Sequence, residues 1–156
     1  MIRPLVLEEL DDCEPLAKAF YEELQLPGVF SMPAFRKTWT FLLTSPAVTS
    51  VILGLFTDGA FVGALGATIA EDLNTGARTA NELFWFVTKE HRQGSSALRL
   101  VHEFERWGDQ HDATDFRLVH MLETHGERFP KIYARLGYHP IEVSNLKINP
   151  RFLKEI

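Results

Sequence analysis

Apolar side chains change their spacing along this chain, and each change marks an element. Residues 83–87, Leu-Phe-Trp-Phe-Val, form an unbroken apolar run, too short for a helix and suited to a buried strand. A polar turn follows, and from Ser95 and Ser96, both good N-cap residues, Ala97, Leu100, Val101, Phe104 and Trp107 recur at helical spacing. Before this centre, residues 2–7 read as a short edge strand. Residues 8–24 read as an amphipathic helix carrying Leu10, Cys13, Leu16, Ala17, Phe20 and Leu24. A Pro-Gly loop leads to Ser31, the cap of a second helix that bears Phe35, Trp39, Leu42 and Leu43 and stops before Pro46.

Residues 51–57 and 61–69 flank Asp58-Gly59, a strong hairpin signal because both central residues tolerate positive φ. A turn at 73–77 feeds the central strand, which begins near Thr79. After the central helix, residues 116–122 read as a buried strand and 124–126 as a break. Residues 129–136 read as a short helix ending at Gly137, and 138–148 as a bent strand or final hairpin. The order is strand, two helices, three strands, helix, strand, helix, strand. It predicts an α/β fold: one mixed, mostly antiparallel sheet with helices on both faces.

Composition narrows the function. The 156 residues suit a single domain, 1–156, with 46% hydrophobic and 24% charged side chains. A net charge of −5 and the lack of a basic stripe argue against nucleic-acid partners. No apolar run reaches membrane-helix length, and no signal-peptide core is visible, so a soluble cytoplasmic protein is expected. Cys13, the single cysteine, excludes an internal disulfide and reads as a small buried hydrophobe. His120, Glu123 and His125 lack a recognisable ligand spacing, so no metal is expected. Strand, glycine turn and helix N-terminus together suit an anion.

Two segments carry a resemblance. His91-Arg92-Gln93-Gly94-Ser95-Ser96 is similar to the pyrophosphate loop [Gln/Arg]-x-x-Gly-x-[Gly/Ala] of the GNAT superfamily of acyl-coenzyme A N-acyltransferases. His91 and Ser96 depart from that pattern. Tyr133-Ala-Arg-Leu-Gly137-Tyr138 resembles the family's Tyr-x-x-x-Gly-Phe, and the likeness in element order runs over nearly the whole chain. The sequence around residues 84–107 is also similar to small acetyltransferases encoded on bacteriophage genomes, which would place it in a host cytoplasm.

The resemblance implies a sheet splayed between its fourth and fifth strands and transfer of an acetyl group from acetyl-coenzyme A to a primary amine. It implies that the N–H groups of Gln93, Gly94, Ser95 and Ser96, with His91 and Arg92 nearby, hold the pyrophosphate. The pantetheine arm would pair with backbone at Phe86, Val87 and Thr88. Tyr133 is the implied proton donor to the leaving thiolate; packing against Phe129 is the alternative. Glu82, expected on the face of Phe84 and Phe86, is the candidate base, with a solvated strand-end charge as the alternative. His120, expected on the fifth strand, is the second candidate base, and a core histidine is its alternative. Glu22, Glu23 and Glu142 would attract a cationic acceptor, and Phe30, Met32 and Phe35 would wall it. The acceptor is a small molecule or a protein lysine or N-terminus, and a homodimer is left open. A rival reading is a catalytically weak module of the same fold that acts through protein–protein binding.

Overall fold

The computed structural model describes residues 1–24, 28–92, 95–120 and 128–149. One five-stranded sheet runs in chain order: β1 (Ile2–Pro4), β2 (Ser50–Thr57), β3 (Ala60–Glu71), β4 (Arg78–Val87) and β5 (Asp115–Arg117). The first four strands are antiparallel to their neighbours, and β5 is parallel to β4. Asp58 and Gly59 join β2 to β3 with φ of 51° and 82°, the doubly left-handed turn that matches strand twist.

Helices cover both faces. On one, α1 (Leu10–Leu24) and α2 (Met32–Thr44) pack Leu10, Cys13, Ala17, Phe35, Trp39 and Leu42 against Ile52, Ala64 and Phe86. Ser31 caps α2, its Oγ accepting from the Ala34 N–H at 3.4 Å. On the other, α3 (Ser96–Gln110) buries Leu100, Val101, Phe104 and Trp107 against the sheet. The short α4 (Arg128–Arg135) places Phe129 and Tyr133 against Trp85 of β4. Cys13 is buried, which pushes its thiol up to about 12, as expected of a core residue rather than a nucleophile.

Two expectations change. β5 pairs over three residues only, Thr79↔Asp115, Ala80↔Phe116 and Asn81↔Arg117, instead of running through residues 116–122. Residues 121 and 122, like the break at 124–126, lie outside the described residues. Residues 138–149 carry no strand, although Ile141 and Val143 alternate as a strand would. Their side chains stay exposed, as does Leu146, because alternation makes a strand only where a neighbouring edge supplies hydrogen bonds. Arg92 lies before α3, in the turn after a 3-10 segment (Lys89–His91).

Candidate active site

A register shift in β4 decides which way the candidate base points. Gly66 pairs with Phe84 but Ala67 pairs with Glu82, leaving Leu83 as the extra residue of a bulge. Strict alternation would have put Glu82 beside Phe84 and Phe86. The bulge instead leaves Phe84 and Phe86 with α1 and α2, and turns Glu82 to the α3–α4 face with Ala67, Ala80 and Trp85. Gly66 makes this packing possible: a Cβ there would lie 2.3 Å from the Phe84 ring, which stacks on Trp39 at 4.9 Å.

The β4–β5 ladder ends at Arg117, so among the described residues β4 from Glu82 onward has no partner on this edge. Side chains take over from the ladder at this opening. Glu82 Oε2 accepts the Val119 N–H at 2.9 Å, and the Tyr133 hydroxyl donates to the Val119 carbonyl at 2.9 Å. One peptide residue is thus held by both candidate groups. Glu82 is 7% exposed, and burial pushes its carboxyl up to about 7 against the opposing pull of the Val119 N–H. Tyr133, 6% exposed, is held well above the ordinary tyrosine range, first by burial and then by the nearby Glu82 charge. It therefore keeps its proton at neutral pH.

The position of Tyr133 follows from how α4 ends. Gly137 has φ of 89°; the Tyr138 N–H bonds to the Tyr133 carbonyl at 2.9 Å and the Gly137 N–H to the Ala134 carbonyl at 3.1 Å. These are the two bonds of a Schellman cap, whose customary apolar contact is here Tyr133 against Tyr138, ring centroids 6.1 Å apart. Tyr138 then donates from its hydroxyl to Glu105 of α3 at 2.9 Å. The Tyr-x-x-x-Gly-Tyr segment is thus a helix stop that fixes a tyrosine beside the opening. His120 lies beyond β5, not in it, with its ring edge-on to Tyr133 at 5.7 Å. It is a neighbour of the hydroxyl group's ring and makes no strand pairing.

At the other end of β4 the expected anion loop is only partly described, since Gln93 and Gly94 fall outside the described residues. Ser95 occupies the N-cap of α3 but makes no side-chain cap bond. His91 Nδ1 lies 2.7 Å from Thr88 Oγ1, a contact that closes the turn. Arg92 donates from Nε to the Val87 carbonyl at 2.7 Å and, through both terminal nitrogens, to Glu23 of α1 at 2.5 and 2.7 Å. Because Thr88 N–H bonds to the Val62 carbonyl of β3, the pairing pattern turns the Trp85 and Val87 peptide groups toward the open side. A cleft of about 480 Å³ runs between α1 and this turn, lined by Phe20, Glu22, Glu23, Phe86, Thr88 and Arg92 among others. Phe30, Met32 and Phe35 pack into the α1–α2 cluster rather than forming its wall.

Sequence reasoning missed two features here, the bulge at Leu83 and the role of Val119. Gly66 opposite an aromatic strand is a signal for the first, since glycine inside a strand often marks a bulge. Nothing local signals the second. Among the described residues, no three His, Cys, Asp or Glu side chains group to hold a metal, and no helix is long and apolar enough to cross a membrane.

No family model and no curated protein sequence matches the chain. Solved structures do. A ribosomal-protein-alanine N-acetyltransferase from Brucella melitensis biovar Abortus is similar with a TM-score of 0.72 at 19% identity, over 96% of this chain and 97% of that one. AAC(6')-Iy, bound to a bisubstrate analog of coenzyme A and acetylneamine, gives 0.75 at 19% identity over the same shares. A GNAT family acetyltransferase from Staphylococcus aureus gives 0.71 at 15% identity, over 96% of this chain and 98% of that one. The chain has the GNAT fold.

Proposed function

We propose that this chain, a GNAT fold with an open β4–β5 edge, transfers an acetyl group from acetyl-coenzyme A to a primary amine. The observation that carries this reading is the convergence of Glu82 and Tyr133 on Val119, where β4 loses its strand partner. The fold likeness to acetyltransferases, one of them solved with a coenzyme A bisubstrate analog, supports it. The co-substrate arm would lie along the open β4 edge and pair with the outward-facing peptide groups of Trp85 and Val87, not with those of Phe86 and Thr88, which face β3. Its pyrophosphate would sit at the turn containing Gln93, Gly94, Ser95 and Ser96, before the N-terminus of α3.

Each side chain then has one task. Glu82, with its carboxyl near 7, accepts the proton that the acceptor ammonium must lose before its nitrogen can attack the thioester carbon. As the tetrahedral adduct collapses, the carbon–sulfur bond breaks, and the Tyr133 hydroxyl swings from the Val119 carbonyl to protonate the departing sulfur. Trp85, Phe129 and the edge of His120 exclude water around that hydroxyl. Glu22 and Glu90 at the cleft favour an acceptor that is cationic in solution, while the charge of Glu23 is met by Arg92.

One observation favours a different reading, a binding module without catalysis. His91 and Arg92 are engaged with Thr88 and Glu23 instead of facing the α3 N-terminus. A thermal-shift titration separates the two. On the acetyltransferase reading, acetyl-coenzyme A at about 100 times Kd raises the melting temperature by roughly 5–10 °C, and dephosphorylated pantetheine has little effect. Tyr133→Phe then binds the coenzyme as before while acetylation of an amine panel drops about 100-fold. An unmoved melting curve at saturating coenzyme excludes the enzyme.

A further inference from the structure

Trp85 holds an anomaly that its packing does not explain. Its indole N–H is fully buried and has no hydrogen-bond partner, the one side-chain polar atom among the described residues in that condition. Buried donors nearly always find partners. Trp107, on α3, shows the ordinary outcome: its indole N–H donates to the Ala47 carbonyl at 2.8 Å. If Trp85 served only to fill space between β4 and α4, phenylalanine would do so without stranding a donor.

The surroundings limit what can satisfy it. The Trp85 ring stacks on Tyr133 with centroids 6.4 Å apart and meets Phe129 edge-on at 5.8 Å. A charged acceptor would be desolvated against the rings at a far greater cost than a neutral carbonyl oxygen, which the indole N–H can offset with one hydrogen bond. Trp85 also lies on the stretch of β4 that β5 leaves uncovered, between Glu82 and Val87. An extended ligand along that edge brings carbonyl groups to it.

We propose that Trp85 is a co-substrate-binding residue whose indole N–H donates to a carbonyl oxygen of the acyl-thioester arm. This rests on the acetyl-coenzyme A reading above. The amide carbonyls of the pantetheine arm and the thioester carbonyl share the required chemistry, and coenzyme A and acetyl-coenzyme A distinguish them.

The test is an NMR titration of the indole N–H signals of the whole protein with each of the two coenzymes, alongside calorimetric binding. The Trp85 signal, assigned by its loss in Trp85→Phe, is expected to move downfield on saturation while that of Trp107 stays. A response to both coenzymes assigns a pantetheine amide; a response to acetyl-coenzyme A alone assigns the thioester. Trp85→Phe, melting as the wild type does, should bind acetyl-coenzyme A about tenfold more weakly, the loss of one buried hydrogen bond. Should that variant fail to fold, assignment through the indole's contact with Tyr133 keeps the titration decisive. Calorimetric binding with an unmoved Trp85 signal overturns this inference and leaves the acetyltransferase reading standing. No binding of either coenzyme overturns both.

Discussion

At the scale of single residues, Glu82 carries the most chemical information, because two effects of opposite sign meet on one carboxyl. Burial raises its pKa from 4.5 to about 7, and the Val119 N–H opposes the rise. The folded state therefore holds this proton more tightly than the unfolded chain does. Its contribution is fully present below about pH 4.3, declines as pH rises toward 7, and is level above that. The difference amounts to about 3 kcal/mol. Glu82→Gln keeps an acceptor for Val119 but cannot ionise. Between pH 4.5 and pH 8, urea unfolding should show the wild type losing about 3 kcal/mol relative to this variant; parallel stability curves would show that Glu82 is not buried as described. On the proposed mechanism, wild-type activity rises as pH passes about 7 and the variant loses that rise.

At the scale of elements, the placement of Tyr133 depends on how α4 stops. Gly137 has the left-handed φ of 89°, and no atom lies within 4 Å of where a Cβ would be. Gly137→Ala therefore meets conformational strain without a clash, about 1 kcal/mol in unfolding free energy by denaturant titration. Because Tyr138 and Tyr133 are joined through the same cap, activity should fall further than stability explains. An alanine variant with full activity would separate the cap from the site. The bulge at Leu83 acts at the same scale. One inserted residue sends Glu82 and Trp85 to the α3–α4 face while Phe84 and Phe86 stay with α1 and α2.

At the scale of the whole molecule, Arg92, after β4, grips Glu23 near the end of α1. The Arg92 and Glu23 side chains are 40% and 32% exposed, so the pair contributes little to stability, under about 1 kcal/mol. Its consequence falls on binding. Glu23→Gln removes a negative charge from the cleft and releases Arg92 toward the α3 turn. Both changes favour an anionic ligand. Calorimetry should show acetyl-coenzyme A binding a few-fold more tightly, with the melting temperature nearly unchanged. Weaker binding would mean that the Arg92–Glu23 pair builds the site instead of competing with it.

Much of this architecture was legible in the chain because it depends on local periodicity and turn chemistry. The spacing of Leu10, Cys13 and Ala17, the Asp58-Gly59 turn, the apolar run at 83–87 and Gly137 each act over a few residues, and helix, hairpin and helix stop follow from them. The place of Tyr133 relative to the helix stop was legible for the same reason, while its candidacy as a proton donor came from the resemblance. What the tertiary structure decided depends on partners distant in sequence. Strict alternation on β4 misdirects Glu82, because the bulge is set by pairing across to Gly66 and Ala67. Residues 138–148 alternate like a strand yet form none, because a strand requires a neighbouring edge. Val119 shows nothing in its own sequence of the carboxylate and hydroxyl that meet on its backbone. That meeting exists because β5 leaves β4 after Arg117, and only the folded sheet brings Glu82 and Tyr133 to the opening it creates.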